Sequence, residues 1–245
     1  MTKIRAICFY IKMEPCAIID PRLPEKTVKN LNKAGFLTVT VPLSDLVETP
    51  LSGHPDIQMF LHEKNLFVHP DIDKSFLQKI ESYVNIIQCP SRLQKSHPAD
   101  IPYNIACTGK IALHRKESTD KCILNFFLQN EIKIVNTRQG YSKCSTLIVD
   151  DSSIITSDES IHKAAEDAGI DSLLIIKGYI DLPGYNYGFI GGASGRFLDT
   201  IYLTGSIDNH PDRKMIQNFI ESKGMRLNIL SDQKIFDAGS IFFIS

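Results

Sequence analysis

The chain has 245 residues, a formal net charge of -1 and a hydrophobic fraction of 43%, the profile of a globular chain for which one or two domains are expected, a single one over residues 1–245 if its repeats close into one ring. A charge so close to zero argues against nucleic acid or an anionic membrane as partner, and no apolar run approaches the roughly 20 residues a membrane span needs. The six cysteines Cys8, Cys16, Cys89, Cys107, Cys122 and Cys144 include no C-x-x-C pair, and no signal-peptide cleavage site follows Lys12 and Glu14, so a cytoplasmic protein with reduced thiols is expected.

Cys16 to Asp20 reads as a short strand turned by Pro21 and Arg22. Leu23, Val28 and Leu31 then recur at helical spacing up to Ala34, Gly35 supplies the stop, and Val39 to Val41 is a strand closed by Pro42. After a loop to Pro55, Asp56 to Leu61 alternates as a strand and Asn65 to Val68 is a second one. His69, Pro70 and Asp71 form a turn and cap, Phe76 to Tyr83 a helix, and Val84 to Ile87 a third strand. The polar segment from Cys89 to Pro102 reads as a spacer, a lid or a plain surface excursion.

The same order returns with Asn104 to Cys107, Lys110 to His114, a helix from Asp120 to Gln129, and Ile132 to Val135. The clearest copy follows: Ser145 to Val149, Ile154 to Thr156, a helix capped by Ser157, Asp158 and Glu159 and stopped by Gly169, then Ser172 to Ile176. A fifth copy has Phe189 to Ala193, Thr200 to Leu203, a helix from Pro211 to Ser222, and Arg226 to Leu230. Asp237 to Ile244 remains as a lone first strand, and the N-terminal copy lacks just such a strand. The expected fold is therefore α/β: a five-bladed α/β-propeller of pseudo-fivefold ββαβ repeats, closed by pairing of the C-terminal strand with the N-terminal unit. An open doubly wound sheet would place single strands between helices, whereas here the strands come in pairs.

A ring of five such units resembles the pentein fold of the guanidine-modifying enzymes, which include arginine deiminases, dimethylarginine dimethylaminohydrolases and amidinotransferases, together with a non-enzymatic ribosome anti-association factor. The motifs QGYSKCS (139–145), ITSDE (155–159) and GFIGGASG (188–195) are similar to those of an uncharacterised bacterial family of that fold. The resemblance implies a central cleft for a small polar ligand, a cysteine nucleophile on the last first-type strand and a histidine on the strand before it. Here those segments read Ala238-Gly239-Ser240 and Ile190-Gly191-Gly192, so the standard pair is absent. Asp56 does resemble the guanidinium-binding aspartate.

If the first strands line a common axis, internal repetition places Asp56, Asn104 with Cys107, Lys143 with Cys144, Gly192 with Ser194, and Asp237 with Ser240 around the cleft. Cys144 is either a relocated nucleophile or a packed thiol, and adjacency on a strand would turn Lys143 to the opposite face. Cys107 has the same two readings. His54 and Asp56 would share a face as an acid/base pair, although Pro55 between them also fits a plain turn. Gln139 and Arg196 complete the ligand-binding candidates, with Arg196 and Ser194 suited to an anionic group. The remaining histidines have no ligand spacing and read as surface or turn residues, so neither metal nor cofactor is expected. The loop Tyr185-Asn186-Tyr187 reads as packing or as a lid. Two functions stay open: a small guanidino or amino-acid-like ligand bound in the cleft, with hydrolase or amidinotransferase chemistry if the protein is an enzyme, or a non-catalytic protein-interaction role.

Overall fold

The structure is a computed structural model that describes residues 13–245; Cys8 and the N-terminal stretch lie outside the described residues. Each of its five sheets has three strands and one pattern: a first strand antiparallel to a central strand, which is parallel to a third. They are β3 (Met59–His62), β4 (Asn65–Val68) and β5 (Asn85–Gln88); β6 (Ala106–Thr108), β7 (Ile111–His114) and β8 (Lys133–Asn136). The next are β9 (Thr146–Ile148), β10 (Ser153–Thr156) and β11 (Asp171–Leu174); β12 (Ser194–Phe197), β13 (Thr200–Leu203) and β14 (Arg226–Ile229). The remaining sheet joins the ends of the chain: β1 (Cys16–Ile19) pairs with β2 (Leu37–Thr40) on one side and with β15 (Phe242–Ile244) on the other. The expected pairing of the C-terminal strand with the N-terminal unit is thus present, with Cys16 opposite Ile244 and Ile18 opposite Phe242.

Burial repeats as faithfully as topology. The central strands are almost wholly buried, whereas the third strands are mostly exposed or half-buried. A short apolar run fits the first environment and an alternating one the second. The crossover helices α1 (Glu25–Lys33), α3 (Lys74–Ile80), α4 (Lys121–Gln129), α6 (Glu159–Asp167) and α7 (Arg213–Ser222) each bury two residues four apart. These pairs are Thr27 and Leu31, Phe76 and Ile80, Ile123 and Phe127, Ile161 and Ala165, and Ile216 and Ile220. One stripe of that width covers one sheet face and leaves the rest of the helix in water. Asp158 caps α6 through its contacts with the Ser160 and Ile161 amides, and Gly169 stops it at φ 82°.

Several boundaries differ from expectation. Asp73, not the His69–Asp71 turn, caps α3, at 2.9 Å from the Phe76 amide. Pro211 stands before the Asp212 N-cap of α7 rather than inside the helix. Phe189 to Ala193 is a turn, and the strand begins at Ser194. Most consequential, Asp56 and Cys144 lie not on strands but on one-turn helices, α2 (Pro55–Gln58) and α5 (Ser142–Ser145). Pro55 sits in the first turn of α2, where its missing N–H costs nothing. Among the described residues no helix is long and apolar enough to cross a membrane.

Candidate functional site

The residues just ahead of each first strand converge. Asp56, Asn104, Lys143, Cys144, Gly192 and Ser240 stand two or three positions before β3, β6, β9, β12 and β15, whereas Cys107 and Ser194 lie on β6 and β12 themselves and Asp237 stands five positions before β15. Their carrier is the turn rather than the strand. On a helical turn neighbouring residues do not alternate faces, which is why Lys143 and Cys144 both point into one cluster instead of opposite ways.

Cys144 Sγ donates toward both Asp56 oxygens, at 3.1 and 3.2 Å, and accepts from Asn104 Nδ2 at 3.2 Å. Asn104 ties the turns together: its Oδ1 accepts the Lys143 and Cys144 amides at 2.8 and 3.2 Å, and its Nδ2 reaches the Asp56 carbonyl at 3.0 Å. Lys143 Nζ donates to Ser240 Oγ at 2.8 Å, and Ser240 Oγ is 2.7 Å from Asp56 Oδ2. Asp237 accepts the Phe189 and Gly239 amides at 2.8 and 3.0 Å. His54 Nδ1 stands 4.0 Å from Asp237 Oδ1, beyond hydrogen-bond range, and neither ring nitrogen has a partner. His54, Asp56, Asn104, Asp237 and Ser240 are all fully buried.

Backbone fit keeps these groups close. A Cβ on Gly192 would fall 2.0 Å from Asp237 Oδ1, and one on Gly239, at φ +65°, 2.1 Å from the His54 Cβ. Only glycine fits either place. Ser240 itself adopts φ 71°, a left-handed conformation uncommon for a side chain of its kind.

Electrostatics follow from dryness. Burial pushes the Cys144 thiol well up, and Asp56 beside it adds to the push, so the sulfur holds its proton. Burial pulls the Lys143 ammonium down, opposed by Asp56, Cys144 and Asp237. Asp237 is raised to about 6, first by burial and also by Asp56, against the pull of His54 and two backbone amides. Two carboxylates with one ammonium leave the cluster short of a positive charge.

A cavity of about 300 Å³ opens onto this cluster. Cys144 and Asp237 form its polar floor; Tyr141, Tyr185, Tyr187 and Phe189 supply aromatic walls, and Gln139 stands on its lining. Tyr141 is anchored by its hydroxyl, which donates to Asp100. A wider groove of about 1130 Å³, which includes Arg138, Lys163 and Lys177, shares Gln139, Tyr187 and Phe189 with the cavity.

Not every nominated residue joins. Cys107 lies on β6, half-buried against an apolar cluster, its thiol pushed up to about 12 by burial. Arg196 pairs with Asp151 at 2.8 Å at the surface, far from the anionic role suggested for it. Ser194 is buried with its hydroxyl on the Gly191 carbonyl at 3.0 Å. Asp56 is behind the thiol, and Asp237 is the carboxylate on the cavity wall. His69, His114 and His210 are buried, not surface residues. Tyr141 and Phe189 were missed as site residues; both sit inside recognisable motifs, yet a single aromatic carries no spacing signal that separates wall from core.

No curated protein matches the chain. Among solved structures, a mutant DDAH from Pseudomonas aeruginosa complexed with citrulline has 8% identity and a TM-score of 0.54, covering 93% of either chain. A dimethylarginine dimethylaminohydrolase adduct with 4-chloro-2-hydroxymethylpyridine has 10% identity and a TM-score of 0.51, with 89% of this chain and 92% of that one covered. SxtG, an amidinotransferase from Microseira wollei in the saxitoxin biosynthetic pathway, has 11% identity and a TM-score of 0.51, with 89% and 88% covered. At such identities the likeness is one of fold. The fold is that of the pentein enzymes, and with residues 18–242 matching its model the chain belongs to a family of unknown function (DUF6873).

Proposed function

We propose that the five sheets close into a five-bladed α/β-propeller and that the cavity at its centre binds a small cationic ligand, a guanidino or amino-acid-like molecule. The single observation that carries the ligand reading is the cavity floor: Asp237 and Cys144 beneath four aromatic rings, backed by Asp56, in a cluster short of one positive charge. A guanidinium is a planar, weakly hydrated cation that pairs with carboxylates through two parallel bonds and stacks on aromatic faces. This site offers both features within one small volume. The pairing of β15 with β1, and the contacts of β6 with β9, β9 with β12 and β12 with β15, support the closed ring.

Binding, rather than attack, is the resting capability. A thiol is nucleophilic as the thiolate, and Cys144 keeps its proton under burial and the Asp56 charge. Asp56 is placed to accept that proton if an electrophilic ligand carbon reaches Sγ. Ser240 occupies the segment where the resemblance expects a nucleophile, but it does not line the cavity.

A thermal-shift screen with arginine, agmatine, citrulline and other amino acids tests this reading. The wild type should gain melting temperature with at least one guanidino compound, and Asp237→Asn should lose that gain. If no compound stabilises the wild type, the non-catalytic protein-interaction reading, motivated by the absent Cys/His pair, takes its place.

A further inference from the structure

His54, Asp56 and Cys144 each offer one donor atom, and these atoms lie within 4.8 Å of one another. His54 is fully buried and neither ring nitrogen has a hydrogen-bond partner. An imidazole left this way carries an unmet desolvation cost, which ligation of a cation removes. Asp56 and Cys144 are already 3.1 Å apart at Oδ1 and Sγ, close to the separation of two ligands on one small metal ion.

From this geometry we infer that His54, Asp56 and Cys144 form a binding site for a transition-metal ion of the zinc class. Mixed nitrogen, sulfur and oxygen donors suit zinc or cobalt and exclude calcium and magnesium, which take oxygen ligands. Supporting groups are in place: Ser240 Oγ is 2.7 Å from Asp56 Oδ2, Asn104 Nδ2 donates to the sulfur at 3.2 Å, and Asp237 faces His54 Nδ1. Charge also balances. Formation of the metal–sulfur bond releases the thiol proton to water, after which a divalent ion and the Lys143 ammonium face the Asp56, Asp237 and Cys144 anions. Three protein ligands leave a tetrahedral ion one further position, and one of the three, Cys144, also lines the cavity.

The ion draws on the same missing positive charge as the guanidino ligand, and its test needs no guanidino compound. Full-length protein stripped by a chelator is titrated with cobalt(II) and then zinc, reading the near-ultraviolet thiolate-to-cobalt absorption and the stoichiometry. The expected result is one ion per chain with a thiolate band that zinc abolishes. Cys144→Ser should lose the band, and His54→Gln should weaken affinity by at least tenfold. Cys122→Ser should change nothing, because the second thiol group of the fold, Cys89 and Cys122 with Asp120, has its carboxylate committed to the Cys122 and Ser91 amides. Circular dichroism reports whether each variant folds; should His54→Gln fail to fold, wild type and Cys144→Ser decide. Absence of a band in the wild type, its survival in Cys144→Ser, or its loss in Cys122→Ser would overturn the site.

Discussion

Buried charge sets the character of single residues in this protein. Asp56 and Asp237 share one dry cluster with the half-buried Lys143, and the glycines around them are there because nothing larger fits. Gly239→Ala would place a Cβ 2.1 Å from that of His54 at a left-handed φ. A loss of more than about 2 kcal/mol is expected, read as a drop in the denaturant midpoint; a change within about 0.5 kcal/mol would contradict the packing described. Cys144 should react with iodoacetamide far more slowly in the native protein than in urea, as a buried, protonated thiol does. Equal rates in the two states would mean the sulfur is exposed. At this scale the sequence brought together residues that do meet in the fold, but on elements other than those expected. Repetition pointed to Asp56 and Cys144, but it suggested strands where four-residue helical turns stand, and a turn that short has no periodicity to read.

At the scale of elements, the chain repeats one device: a buried central strand, an exposed third strand and a crossover helix gripping the sheet through residues four apart. Helix α6 was legible nearly to the residue because Asp158 and Gly169 bracket it chemically. Helix α3 was not, since the sequence placed its cap in the His69–Asp71 turn, whereas contact with the Phe76 amide singles out Asp73. Asp158→Ala removes the acceptor for two amides, so it should cost about 1 kcal/mol of stability by chemical denaturation. No measurable loss would show that α6 holds by packing alone.

For the whole molecule, the pH dependence of stability has a clear sign. Burial pulls the His69 and His114 rings down to about 4, opposed by Asp71 at His69 and, at His114, first by the Ile101 and Gly140 backbone and then by Glu117. An unfolded histidine takes up a proton near its ordinary value of about 6.5, whereas these folded rings refuse it until about 4. Their contribution is complete above pH 6.5 and is lost as the pH falls from there toward 4, by up to about 1.4 kcal/mol per pH unit for each ring. Urea denaturation at pH 7 and pH 5 should show this fall, and His69→Asn should flatten it; equal stability at both values would contradict the burial.

Pairing of the chain ends, inferred from a missing first strand at one end and a spare one at the other, was legible in the sequence. What sits above the cluster was not, because aromatic walls from residues 141 and 185–189 meet only in the folded chain. The most direct measurement of the central claim is therefore a calorimetric titration of arginine or agmatine into wild type and Asp237→Asn. The account predicts one site per chain in the wild type, and at least a tenfold weakening in the variant from loss of a charged hydrogen bond worth about 1.5–3 kcal/mol. No heat from the wild type, or equal affinity in both proteins, would contradict it.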